Sequence, residues 1–363
     1  MYKDFLNIVQ AALWNQAMPE VKVSEDLIRL IMQQGVGPLV FPRMPMTPMM
    51  KMVCVQNMQQ HVQLQFTLEK AWGALQKARI DAVLMKGVGL AMLYDEPQHR
   101  AWGDIDLFVG KEQYHPACAV MRETFPGALK FDEELDHYKH YNIIADGVSI
   151  ETHRVSVSFP HPTDERRYAK MEAYGMVNGE WLMVNGLEVK VFEPTFNALF
   201  VFLHSWEHMM SKGASVRQLC DLALLLHRYK DVIDATLLRK WLKALHLYDV
   251  WQVYAYNLVN SLGLPREEML FYKESVAARA EKLMEDLLAG RMDEGMSGEK
   301  ANGESTKGKA PRNRILRKIH TMQERMRNSR RMGQYSPAYA RHMNASILIS
   351  GAKRLFAKDR HWE

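Results

Sequence analysis

The chain has 363 residues, 47% of them hydrophobic and 25% charged, with a formal net charge of +5. That balance excludes a disordered, collagen-like or disulfide-dense protein and fits one large domain or two of ordinary size. No run of about 18 uninterrupted apolar residues is present, so no transmembrane segment is expected. The opening MYKDFLNIVQAALW lacks the basic head, apolar run and small-residue cleavage site of a secretory signal. Cys54, Cys118 and Cys220 are far apart and in no metal-binding spacing. The chain therefore reads as cytoplasmic, with free thiols.

Residues 1–78 read as an N-terminal helical region, with Ser24 as a candidate N-cap and a longer helix over 53–77. IDAVLMKG then reads as a short strand ending at glycine, VGLAMLY as a helix, GDIDLFV as a second strand and 111–124 as a helix. YNIIADGVSIETHR predicts two strands around a tight Asp146-Gly147 turn. MVNGEWLMVNGLEVKVFEP looks similar, with Asn178-Gly179 and Asn185-Gly186 as turns. These elements define a sheet-bearing core over 79–193. A helical domain over 194–289 follows, which Pro194 can open. Residues 290–313 are poor in apolar side chains and read as a flexible linker. The tail, 314–363, reads as basic and helical, with helix expected over 314–331 and an amphipathic stretch over 345–357. Residues 300–363 hold sixteen Lys/Arg and four Asp/Glu, a net +12 that leaves −7 on the other 299 residues. The 25 methionines read as core filler. The predicted class is α+β: a small mixed sheet with flanking helices, plus a C-terminal helical bundle.

RAWGDIDLFVG carries the chemistry. On a strand, residues i and i+2 share a face, so Asp104 and Asp106 project together while Ile105 and Leu107 point to the opposite side. Adjacent carboxylates repel, and a divalent cation between them removes that cost. Oxygen ligands of this kind suit Mg²⁺ or Mn²⁺. Glu151 and His153 share one face of VSIETHR. If that strand neighbours the first, Glu151 completes a three-carboxylate cluster. Upstream, LMKGVGLAMLY is a strand, a glycine turn and a helix start, a geometry whose backbone N–H groups hold phosphate. Gly87 and Gly89 allow close backbone approach, and Lys86 adds a point charge. Arg100 suits either a phosphate contact or an ion pair with Asp104. His153 and His140 are candidates to orient nucleotide or acceptor. Arg217 and Asp221 have the i,i+4 spacing of a helix salt bridge or form a pocket wall. His204 and His208 have zinc-compatible spacing, but core packing or a pocket wall explains them more simply.

Lys86-Gly87, Arg100, Gly103-Asp104-Ile105-Asp106-Leu107 and Glu151 in IETH together resemble the DNA polymerase beta-like nucleotidyltransferase superfamily. Within it the chain is most similar to the bacterial uncharacterised nucleotidyltransferase-like proteins, and it shares motifs with abortive-infection toxin nucleotidyltransferases. The likeness is specific over 80–154 and looser to about residue 229, where His204, Arg217 and Asp221 fall. It implies transfer of a nucleoside monophosphate from a nucleoside triphosphate to an acceptor hydroxyl, with release of pyrophosphate. By that likeness Asp104, Asp106 and Glu151 are the catalytic residues and hold two Mg²⁺ or Mn²⁺ ions. Lys86, Gly87, Val88, Arg100, Gly103 and His153 contact the nucleotide. Many members have serine after the glycine, where this chain has Val88. That departure keeps open a catalytically degenerate binding or regulatory protein. A sugar transferase using Asp-x-Asp is a weaker rival, because the helical 1–78 supplies no nucleotide domain before the motif. The acceptor is open: a small molecule, a protein side chain or an RNA end. The basic tail is an expected surface for an acidic partner, RNA or a membrane face, the bland alternative being a solvated charge run.

Overall fold

Alternating side chains give one small sheet two different faces, and the rest of the chain is distributed by which face it covers. The computed structural model describes residues 1–131, 135, 137–159, 161–211, 213–290, 329–330 and 332–345. The sheet contains β1 (Val83–Met85), β2 (Ile105–Phe108), β3 (Leu129–Lys130), β4 (His140–Ala145) and β5 (Val148–His153), in the order β1-β2-β5-β4-β3. Only β2 and β5 pair in parallel, with Asp106 opposite Glu151; the other pairs are antiparallel. The sheet is therefore mixed, as predicted. β4 and β5 turn at Asp146 and Gly147, with φ of 52° and 79°. Two successive positive φ values make the tight turn that an Asp-Gly pair favours.

Leu84, Ile105, Leu107, Tyr141, Ile143 and Ile150 face one side of the sheet. They are buried against Leu68 and Trp72 of α4 (Pro48–Lys77) and against Tyr114 and Met121 of α6 (Gly110–Thr124). Helix α4 starts where Thr47 caps the Met50 N–H and Pro48 supplies a pre-set first turn. On the other side Val83, Met85 and Phe108 join a larger core with Phe192, Phe196 and Phe200. That core is built by α8 (Pro194–Ser211), α9 (Val216–Tyr229), α10 (Ala235–Ala244), α11 (Tyr248–Asn260) and α12 (Ala277–Leu288). Helices α1 (Tyr2–Leu13), α2 (Glu25–Gln33) and α3 (Gly37–Val40) also belong to it. Gln34 fixes the junction: its side chain donates to the Leu287 carbonyl and accepts from the Val216 N–H. Ser24 caps α2 as expected, accepting from the Leu27 N–H.

One expectation needs correction. β6 (Glu180–Val184) and β7 (Leu187–Val191) form a hairpin at Asn185-Gly186, but Asn178 ends a helix, α7 (Pro162–Val177). The residues before Asn178-Gly179 are thus helical, not a strand. The linker over 290–313 and the helix over 314–331 lie almost wholly outside the described residues, as does most of 345–357. The described part of the tail is docked rather than solvated. Its Tyr335 hydroxyl donates to Asp286 and its Ser336 hydroxyl to Asp249, while Arg279 joins Asp249 to the Tyr335 carbonyl. Among the described residues no helix is long and apolar enough to cross a membrane.

Helix α7 meets α8 at Gly175, where a Cβ would lie 2.2 Å from Phe196 Cδ1. Gly→Ala within a helix ordinarily stabilises. Here overpacking reverses the sign, and Gly175→Ala is expected to cost about 1–3 kcal/mol. Urea denaturation measures it, as a lowered midpoint at unchanged slope.

Candidate active site

The parallel pairing of β2 and β5 brings Asp106 beside Glu151, and both point to the face that α8 and α9 approach. Asp104 lies one step earlier, on the loop entering β2. Its position depends on the turn after β1. Lys86 and Gly87 there have φ of 42° and 37°, and a Cβ on Gly87 would stand 2.9 Å from the Asp104 carbonyl oxygen. Glycine is needed at this close approach. Lys86 holds a positive φ without that freedom, a strain that the surrounding contacts sustain. The turn opens the five-residue helix α5 (Gly87–Ala91).

Two basic side chains answer the buried charge. Asp106 is 3% exposed. Its Oδ1 lies 2.9 Å from the Lys86 ammonium and 2.9 Å from His153 Nε2, which also lies 3.0 Å from Glu151 Oε2. Burial pulls the Lys86 and His153 pKa values down, but the neighbouring carboxylates outweigh it and both rise above their ordinary values. Burial pushes Glu151 up, yet the hydrogen bond and charge of His153 hold it below the usual carboxylate range. His140 Nε2 stands 3.7 Å from Glu151 Oε1. Burial lowers its pKa to about 4, so it is neutral at pH 7.

Asp104 is different. It has no hydrogen-bond or ion-pair partner among the described residues. Desolvation in the cleft, then the charges of Asp106 and Glu151, push its carboxyl up to about 6. A crowded, unpartnered carboxylate beside two others is a donor set that suits a hard divalent cation. One group of ligating atoms nearby is His140, Glu151 and His153, all within 4.8 Å of one another. Asp104 stands outside that group.

The far wall comes from α8 and α9. A cleft of about 120 Å³ is lined by Lys86, Gly87, Gly103, Asp104, Asp106, His204, His208 and Arg217, among others. Arg217 Nη1 donates to the Ala101 carbonyl at 2.8 Å, and its buried Nε has no partner among the described residues. Burial and the charge of Arg100 lower the Arg217 pKa. His204 and His208 lie edge to face at 4.4 Å, as cleft wall. A larger hollow of about 670 Å³ between α6 and β3 is lined by His115 and Arg122 and holds none of these carboxylates.

Arg100 and Val88 have structural roles beside the nucleotide contacts expected of them. Arg100 is 5% exposed and forks onto Asp221, Nε to Oδ1 and Nη2 to Oδ2, both at 2.8 Å. The Tyr94 hydroxyl donates to the same Oδ1 at 2.9 Å. Arg100 thus pairs with Asp221 and not with Asp104 while still lining the cleft, and Asp221 does not pair with Arg217. The Val88 side chain is buried in the core beneath the sheet, which leaves only its backbone facing the turn. At Gly103 a Cβ would meet nothing within 4 Å, so the position has no steric need for glycine. Tyr94 carried no sequence signal, since its partner is 127 residues away.

Two outcomes follow from this geometry. Asp221→Ala leaves Arg100 buried and unpaired, and is expected to cost about 3–5 kcal/mol in denaturant unfolding. Asp104 takes up a proton more readily folded than unfolded, so its ionisation destabilises the native state above pH 6. In chelator at pH 8, Asp104→Asn is expected to melt higher than wild type. That gain shrinks as pH falls from about 6 toward 3.8, where both forms of the wild type become protonated.

Residues 23–258 match the family model described as uncharacterised nucleotidyltransferase. No curated protein matches the chain. Among solved structures it is similar to an antigenic nucleotidyltransferase-like protein from Paracoccidioides brasiliensis, at 15% identity over 53% of this chain and 90% of that one, with a TM-score of 0.33. That likeness is too distant to bear on the site. The family match runs from just before α2 into α11 and takes in the whole cleft, and the chain belongs to the uncharacterised nucleotidyltransferase family.

Proposed function

We propose that this protein moves a nucleoside monophosphate from a nucleoside triphosphate to an acceptor hydroxyl and releases pyrophosphate. The observation that carries the reading is the β2–β5 register. It sets Asp106 against Glu151, with Asp104 on the adjoining loop and the Lys86-Gly87 turn beside them. Asp104, Asp106 and Glu151 would hold two Mg²⁺ or Mn²⁺ ions. Such ions neutralise the triphosphate and lower the pKa of the acceptor hydroxyl.

The chain's own residues do the positioning. His153 orients Asp106 and Glu151 through one shared ring nitrogen. Lys86 and Arg217 line the cleft and bring positive charge to the phosphates. The backbone at Gly87 and Val88 lets a phosphate oxygen approach closely. His140, neutral at pH 7, stands with Nε2 toward Glu151 and helps to orient that carboxylate. Arg100 acts at one remove, holding Asp221 of α9 and with it the wall that carries Arg217. Free thiols at Cys54, Cys118 and Cys220 suit a reducing cytoplasm.

One observation favours a second reading. Lys86 and His153 already neutralise Asp106, which is what a non-catalytic binding module of the same fold needs. Calorimetry separates the two. ATP, GTP, CTP and UTP are titrated with Mg²⁺ or Mn²⁺ into wild type, into a folded Asp104→Asn/Asp106→Asn variant and into Arg217→Ala. The transferase reading expects metal-dependent binding of a triphosphate that the double variant loses. Arg217→Ala is expected to weaken it about tenfold or more, the loss of one charged hydrogen bond. Binding that ignores the metal and survives in the double variant would establish the binding module. No binding of any triphosphate would overturn the nucleotide site.

A further inference from the structure

A second set of ligating side chains lies outside the cleft. Asp164 in the first turn of α7, His246 just after α10 and His342 in the docked tail place ligand atoms within 4.8 Å of one another. They come from three distant stretches of chain, so no local spacing brings them together. Asp164 is 3% exposed. Its Oδ1 is held by Arg167 at 3.2 Å, and its Oδ2 faces His342 Nε2 at 2.6 Å. The rings of His246 and His342 stack with centroids 3.8 Å apart.

We infer that Asp164, His246 and His342 form a binding site for Zn²⁺ or a similar borderline divalent ion. A simple latch between Asp164 and His342 needs no second imidazole. His246 is nonetheless placed there at a cost to the backbone. It has a φ of 60° at the C-terminus of α10, a left-handed position that glycine or asparagine normally takes. Two imidazole nitrogens and one carboxylate oxygen are a zinc-type donor set, whereas Mg²⁺ prefers oxygen alone. Arg167 fixes the carboxylate from outside, as outer-shell groups do for metal ligands. Water fills the fourth position. The His161 ring, 5.8 Å from His342, borders it, and its Nδ1 is already taken by the Thr163 N–H. An ion here ties the tail segment to α7 and the end of α10. This inference does not rest on nucleotidyl transfer.

The full-length protein, stripped with chelator and kept in excess Mg²⁺, is titrated with Zn²⁺ against a chromophoric competitor. Co²⁺ replaces it for a visible ligand-field spectrum. Wild type and Asp104→Asn/Asp106→Asn are both expected to take up one equivalent. His342→Gln and His246→Asn, which suits the left-handed backbone, are expected to weaken uptake at least about 10–100-fold, as even outer-shell losses do. Circular dichroism confirms that each is folded. Failure of wild type to bind Zn²⁺ stoichiometrically overturns the site. So does uptake that both histidine variants keep and that His140→Ala removes, since that would place the ion at His140, Glu151 and His153.

Discussion

Asp106 is a carboxylate buried in the middle of a sheet, and much of the cleft is arranged by the need to compensate it. An unpaired charge at 3% exposure is costly enough to unfold a marginal domain. Two residues prevent this. His153 reaches it because β5 runs parallel to β2, which places a residue two beyond Glu151 within reach of Asp106. Lys86 reaches it from the end of β1, and must adopt a positive φ to do so. Gly87 then carries the chain past the Asp104 carbonyl. The turn, the strand order and the carboxylate are therefore one constraint seen from three sides.

The cleft has a second wall because a buried ion pair holds one there. Arg100 leaves the loop before β2 and meets Asp221 of α9, with Tyr94 from beyond α5 on the same oxygen. This cluster joins the strand-entry loop to the helical layer at the floor of the cleft. Asp221 is fully engaged by these contacts, so Arg217, one helical turn earlier, keeps a nitrogen with no partner among the described residues. A local helix pair between Arg217 and Asp221 would have spent that cation. With the tertiary pair in place, the Arg217 guanidinium donates to the Ala101 carbonyl and lines the cleft.

Local signals in the sequence were legible, and distant ones were not. Asp106 on a strand, Glu-x-His on another, the Asp146-Gly147 turn and the Ser24 cap each depend on residues within a few positions, and each stands where expected, while Asp104 falls one residue before the strand. The ion-pair partner of Arg100 was not legible because it is 121 residues away, and proximity in sequence pointed to Asp104 instead. Val88 was read as part of the phosphate turn, but the same turn directs its side chain into the core. Asn178-Gly179 imitated a hairpin because PTDERRYAKMEAYGMV has a weak apolar stripe, and its helix is held by packing against α8 more than by pattern. That residues before Asn15 share a core with α8–α12 is likewise invisible to periodicity, which reports a buried face but not its partner.

Within the cleft the two aspartates have unlike surroundings, and the difference follows from one residue of chain. Asp106 is inside β2, locked by the ladder on both sides and by two basic side chains. Asp104 is outside the ladder, exposed, unpartnered and crowded by the charges of its neighbours. A rigid carboxylate sets a reference point, and a loop carboxylate can adjust to what arrives. Lys86, His153 and Arg217 stand against the three carboxylates, so donors for both signs of charge meet in the cleft. Such a site suits a dication and a polyanion taken up together, each ion finding opposite charge at short range.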